Sequence, residues 1–239
     1  MTMRDYRILP LIVLVVCGTL FLGCVAKKPL PSEEGRVTVT TNLSNVSQAD
    51  IDRVRNEAEK ALDNVCRILG VQYNRQVAIR IVEGGICNAY GGIISLPIWH
   101  VRNKKAAIVH EVTHIVAGHG GNRFFSEGLA IYFQERFGED NGFPNFTGVP
   151  LSDLVEAYRE RLIPIHALAN NNDIFRRVGT EERKIAYIQA GSFFDFLIQT
   201  YGEQKLRALH DSPNLDYGNV YGKNLRELEK EWEYSLFGR

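Results

Sequence analysis

The chain has 239 residues, enough for one globular domain and an N-terminal segment, and its hydrophobic content of 45% is ordinary for a packed core. Its 28 basic residues are matched by 28 acidic ones, and no basic stripe or aromatic–basic interleaving occurs, which argues against nucleic-acid binding. There is no internal repeat and no long low-complexity segment.

Residues 1–23 read as a targeting segment, with Arg4 and Arg7 ahead of an apolar run from Ile8 to Gly23. The run ends Leu20-Phe21-Leu22-Gly23-Cys24, which resembles a bacterial lipoprotein signal with Phe21 where Leu is usual. That resemblance implies cleavage before Cys24, lipid attachment at Cys24 and a membrane-anchored protein of the cell envelope. Val25 and Ala26 give no acidic retention signal, so for a Gram-negative source the outer membrane is the expected site. An ordinary secretory signal and an uncleaved anchor are the alternatives, the latter short of the roughly 20 apolar residues a span requires. Residues 24–35, with two prolines and a glycine, read as a tether, and residues 36–239 as a single domain. Cys17 leaves with the signal. Cys66 and Cys87 then form an even pair in an oxidising compartment, either a disulfide or two separate buried thiols.

Arg36 to Thr41 alternates as a strand. Ser47-Gln48-Ala49-Asp50 resembles a capping box ahead of a helix striped by Ile51, Val54, Ala58, Leu62, Val65 and Leu69, ended by Gly70. Val77 to Val82 is a second strand. Between Gly84 and Pro97, glycine pairs flank a short apolar run closed by proline, and Tyr90 to Leu96 is read as an edge strand, with an ordinary hairpin strand as the competing reading.

Lys104 to Gly118 reads as a helix with Ile108, Val112 and Ile115/Val116 on its apolar face. It carries His110-Glu111-Val112-Thr113-His114. Histidines at i and i+4 share a helix face with Cβ atoms about 5–6 Å apart, so both imidazoles can reach one metal ion. Glu111 lies about 100° further round, beside such an ion, where it could deprotonate a metal-bound water. Glycines 118, 120 and 121 let the chain reverse, and Ser126 reads as the N-cap of a second helix opening at Glu127 and ending near Phe137. Glu127 is the third-ligand candidate, and Gly128 and Ala130 permit close approach.

These residues, His110 to His114 followed by Phe125-Ser126-Glu127-Gly128-Leu129-Ala130, resemble the gluzincin zinc metallopeptidases, the peptidase MA-like group that includes aminopeptidase N and thermolysin relatives. Metzincin spacing fits worse, since its glycine and last histidine would fall at Ala117 and Gly120. The thermolysin-type aspartate four residues after the third ligand is Ile131 here, which leaves the partners of the zinc histidines unnamed, and His119 is read as a surface or cleft residue.

The resemblance implies an α+β, zincin-like fold: a small N-terminal mixed sheet with helices, a helical C-terminal part, and the zinc cleft between them. It implies Zn²⁺ on His110, His114 and Glu127, Glu111 as general base, and hydrolysis of peptide bonds in peptide or protein substrates. It also makes Tyr90 to Leu96 the substrate edge, and Tyr187, 60 residues after Glu127, an oxyanion donor. The alternative is a non-catalytic zincin-fold binding or assembly module of the envelope. The irregular stretch to Pro150 reads as a cleft rim or a plain surface excursion. Leu151 to Leu162 reads as helical, Ala169 to Asp173 as a loop, and Glu182–Tyr201, Lys205–Leu209 and Asn224–Leu236 as closing helices.

Overall fold

The computed structural model describes residues 35–139 and 149–238. The signal, the lipidation site Cys24 and the tether up to residue 34 lie outside the described residues, as do residues 140–148 of the irregular stretch. Among the described residues no helix is long and apolar enough to cross a membrane.

The fold is mixed α+β. In chain order it runs β1 (Val37–Thr41), α1 (Gln48–Leu69), β2 (Val77–Val82), β3 (Asn88–Tyr90), β4 (Ile93–Pro97), α2 (Ile98–Arg102), α3 (Ile108–Ala117) and α4 (Arg123–Phe137). It continues with α5 (Leu151–Ala157), α6 (Ile165–Ala169), α7 (Glu181–Tyr201), α8 (Glu203–Asp211), α9 (Tyr217–Tyr221) and α10 (Leu225–Phe237). The four strands form one sheet in the order β1-β2-β4-β3, with β1, β2 and β4 parallel and β3 antiparallel at the edge. Helix α1 makes the crossover from β1 to β2. It buries Val54, Ala58, Ala61, Leu62, Val65 and Leu69, and the sheet contributes Val77, Ile79, Ile81, Ile94 and Leu96 to the same core.

Local chemistry accounts for the ends of α1. Ser47 Oγ accepts the Asp50 backbone N–H at 3.1 Å, which satisfies one of the orphan donors of the first turn. The Asp50 carboxylate accepts from the Ser47 hydroxyl at 2.6 Å, so the expected capping box is present in its forward half. Gly70 closes the helix in the left-handed region at φ 70°.

Several boundaries differ from the sequence reading. Lys104 sits in a turn at φ +53° and Lys105 to Ala107 are irregular, so α3 begins at Ile108. The second helix begins at Arg123, one turn earlier than expected: Asn122 caps it by accepting the Phe125 N–H at 2.9 Å, and Ser126 is buried inside it. The stretch Tyr90 to Leu96 is broken by Gly91 and Gly92, both at positive φ. It forms the β3–β4 hairpin, which leaves only three residues at the sheet edge. Leu151 to Leu162 leaves α-helical geometry at Tyr158 and continues as a 3₁₀ turn. Helices α2, α6 and α9, five residues each, are too short to show a helical period in sequence. Cys66, on α1, and Cys87, at the cleft before β3, are not joined in a disulfide.

The C-terminal half is built around α4 and α7, which pack over their full length. Gly128 and Ala130 do not ease the approach of α4 to α3 alone. A Cβ on Gly128 would come 2.4 Å from a ring carbon of Phe194, and one on Gly191 would come 2.3 Å from Ile131 Cγ2. The two glycines thus let α4 and α7 approach by recessing one helix under a bulky side chain of the other. We expect Gly128→Ala and Gly191→Ala each to destabilise the fold by about 1–3 kcal/mol, as overpacking does. Denaturant unfolding would measure this, and unchanged midpoints would show that the contact has room to relax.

Candidate metal centre

Helices α3 and α4 pack side by side, and the link between them is polar as well as apolar. The first turn of α3 has no side-chain cap of its own, because Ala107 occupies the N-cap position. The His110 N–H is one of its orphan donors, and Gln134 Oε1, reaching across from α4, accepts it at 3.0 Å inside the core. At the other end of the pair, Asn172 accepts the Arg123 N–H at 2.8 Å and donates to Gly121 O at 2.9 Å, which fixes the start of α4 to the glycine loop. These bonds set the rotation and height of α4 against α3.

In that setting His110 Nε2 and His114 Nε2 lie 3.1 Å apart, and Glu127 Oε2 is 3.3 Å from each. The three residues form a group that could hold a metal ion. Glu127 is 2% exposed and no donor aligns with its Oε2 as a hydrogen bond, while Arg123 Nη1 donates to Oε1 at 2.9 Å. One carboxylate oxygen is therefore held by a cation and the other turned towards both imidazoles. The His110 and His114 rings meet edge to face at a centroid distance of 4.6 Å. Three lone-pair atoms this close, one of them on an anion, could share a cation between them.

The electrostatics agree. Burial opposes ionisation of Glu127, but the adjoining His110 and His114 imidazoles outweigh it and hold the carboxyl well below the usual range. Burial likewise disfavours charge on His114, yet the Glu127 carboxylate lifts its pKa above the ordinary imidazole value. Glu111 is pushed the other way. Burial raises its pKa, the two histidines pull it down, and the charge of Glu127 pushes it up again. The Ala89 backbone on edge strand β3 lies near enough to the Glu111 carboxylate to favour its charged form slightly. Glu111 is thus desolvated, next to the triad and outside it, as its position one residue after His110 requires.

Tyr187, from α7, stands over the group with its ring nearly parallel to that of His110 at a centroid distance of 6.5 Å. Its hydroxyl accepts from Arg183 Nη2 at 2.9 Å, and burial and the nearby Glu127 charge keep its pKa far above normal. Arg183 is itself fixed by an Nε–H bond to Phe175 O at 2.8 Å and covers the Tyr187 ring at 4.5 Å. All five residues from the sequence reading, His110, Glu111, His114, Glu127 and Tyr187, line one cleft of about 840 Å³ bounded by β3, α3, α4 and the start of α7.

His119 stays out of the group. At φ +58° it turns away after α3, its Nε2–H donates to His210 O at 2.9 Å, and His210 Nε2–H donates back to Ala117 O at 3.0 Å. This exchange staples the end of α3 to α8. Residues that the sequence reading passed over are Arg123, Gln134, Asn172 and Arg183. Two of them carried a signal: Arg123 and Arg183 each stand four residues before a site residue, the spacing at which helix side chains meet.

No family model, no curated protein and no solved structure matches this chain. The purified protein is expected to hold one divalent ion per chain. His114→Ala and Glu127→Ala should abolish stoichiometric binding, measured by elemental analysis. Because a ligand that binds only the folded state stabilises it, chelation should lower the melting temperature. Retention should also fall on acidification, because protons compete with the metal for its ligands. Metal-free protein with unchanged melting after chelator treatment would contradict the assignment.

Proposed function

We propose that the chain is a zinc-dependent metallopeptidase of gluzincin type, lipid-anchored through Cys24 and hydrolysing peptide bonds in the cell envelope. The observation that carries this is the convergence of His110 Nε2, His114 Nε2 and Glu127 Oε2 within 3.1–3.3 Å beside Glu111. Two imidazoles and a carboxylate are a donor set that zinc takes, and tetrahedral ligands at about 2.0–2.1 Å stand roughly 3.3–3.4 Å from one another. That edge length is close to the separations found. A zinc ion there would supply Lewis acidity towards a carbonyl oxygen and acidify water.

The remaining roles belong to the chain's own groups. Glu111 accepts the proton of the attacking water and returns it to the leaving amine, and its burial, which raises its pKa, suits both halves of that transfer. Tyr187 keeps its proton and donates a hydrogen bond to the oxyanion, with Arg183 fixing its hydroxyl. Exposed Ile86, Tyr90 and Val178 line the same cleft and offer apolar contact to flanking substrate residues. Strand β3 remains the sheet edge nearest the site, but with three residues it presents only a short backbone template.

Glu111→Gln should retain metal and lose hydrolysis by about 10²–10⁴-fold, the usual yield of general base catalysis. Tyr187→Phe should lower kcat by about 10²–10³-fold with little change in KM. Peptide-library cleavage with and without chelator measures both. Wild-type rates in the Gln variant would remove Glu111 from the mechanism. Absence of chelator-sensitive cleavage in the wild type would favour a non-catalytic binding module on the same metal group.

A further inference from the structure

The wall of the cleft formed by α4 and α7 carries three cations, Arg123, Arg183 and Lys184. Among the described residues the only carboxylates lining the same cleft are Glu111 and Glu127. Glu127 faces the histidines and Arg123, and Glu111 lies on the α3 side near the backbone of Ala89. Neither Arg183 nor Lys184 is in a salt bridge with a cleft carboxylate. Arg183 uses Nε on Phe175 O and Nη2 on Tyr187 OH, both neutral acceptors that leave its charge uncompensated. Lys184 rests over the Tyr158 ring at 5.2 Å and feels the charge of Glu181, which lies outside the cleft and is itself paired with Arg161 at 2.7 Å. Arg123 gives Nη1 to Glu127 and remains about one-third exposed, at 37% of its side chain. A divalent ion at the triad would make the cleft more positive still.

A half-buried guanidinium such as that of Arg183, with no salt bridge among the described residues, is costly to hold, and the cost is recovered when an anion pairs with it. The planar fork of such a group suits a carboxylate in particular. Both arginines sit one helical turn from a site residue and touch it directly: Arg123 holds Glu127, and Arg183 holds Tyr187. An anion on this wall would therefore lie within about a residue of the reacting carbonyl. Their fixed partners also make them rigid, so little side-chain entropy is lost on pairing.

Building on the peptidase reading, we infer that Arg123, Arg183 and Lys184 form a carboxylate-recognition subsite, and that the preferred substrates are peptides carrying an anionic carboxylate next to the scissile bond. The carboxylate has two sources, an acidic side chain or the free C-terminus of the peptide. Acidic side chains would make the protein an endopeptidase for Glu- or Asp-containing segments, and a terminal carboxylate would make it a carboxypeptidase.

The test compares matched peptides on the zinc-loaded protein. One pair differs only by Glu against Gln beside the cleaved bond, the other only by a free C-terminal acid against its amide. The expected result is a kcat/KM ratio of at least about tenfold in favour of the acid in one pair, the discrimination of a charge-assisted pair over its neutral isostere. The pair that shows it names the source. Lys184→Glu and Arg183→Gln should each shrink that ratio, Lys184→Glu mainly through KM and Arg183→Gln with an added loss of kcat for all peptides through Tyr187. Lys184 is the variant that leaves Tyr187 and Glu127 untouched, so its effect on the ratio separates recognition from mere support of the site. Ratios near one in both pairs, or a ratio unmoved by both substitutions, would overturn the subsite. If no peptide is cleaved, the peptidase reading fails on its own. Calorimetric binding of an alanine tetrapeptide bearing one Glu, against its Gln counterpart, then decides the subsite: about tenfold tighter binding of the Glu form supports it and equal affinity rejects it.

Discussion

The structure depends on one buried carboxylate. Glu127 is carried into the interior by α4 and held opposite two imidazoles from α3, and every neighbouring feature serves that encounter. A carboxylate at such depth is tolerated only when hydrogen-bonded and paired. Arg123 supplies the pairing on one oxygen, and the histidines surround the other. Since α4 is the second helix of the pair, its position against α3 has to be exact to within a few tenths of an ångström for three donors to share one ion. Gln134, bonding into the uncapped first turn of α3, and Asn172, bonding into the start of α4, fix that position. Gly128 and Gly191 then allow α7 to lie close enough for Tyr187 to reach the same cleft.

The surroundings of the triad are polarised in a consistent sense. On the α4 and α7 wall the groups are cationic, and on the α3 and β3 side stand Glu111 and the backbone of Ala89. Glu111, desolvated and raised in pKa, has the character of a proton acceptor poised to let go again. Tyr187 is driven towards permanent protonation and has the character of a donor. In the mechanism we propose, acid–base and hydrogen-bonding roles are thereby divided between α3 and α7.

The central group was legible in the sequence because a helix converts i, i+4 spacing into shared direction. His110 and His114 needed no more than that, and Glu127 followed from a second helix behind a glycine loop. Tyr187 was placed only through family resemblance, and the structure brings it to the cleft. Boundaries were less legible where one strong local signal competed with another. Ser126 is a good N-cap residue, yet Asn122 takes that role because Asn172 anchors the chain there, a contact between positions 49 residues apart. The run from Tyr90 to Leu96 looked like one strand because its apolar residues continue across Gly91-Gly92, but both glycines adopt positive φ and fold it into a hairpin. Gln134 carried no local signature at all, since its purpose is defined by a donor on another helix.

The most direct measurement of the central claim is X-ray absorption at the zinc edge of the loaded protein, alongside Glu127→Ala. The account predicts two imidazole nitrogens and light oxygen donors at about 2.0–2.1 Å in four-coordinate geometry, with loss of that signature in the variant. Sulfur in the shell at about 2.3 Å, or a spectrum that Glu127→Ala leaves unchanged, would contradict it.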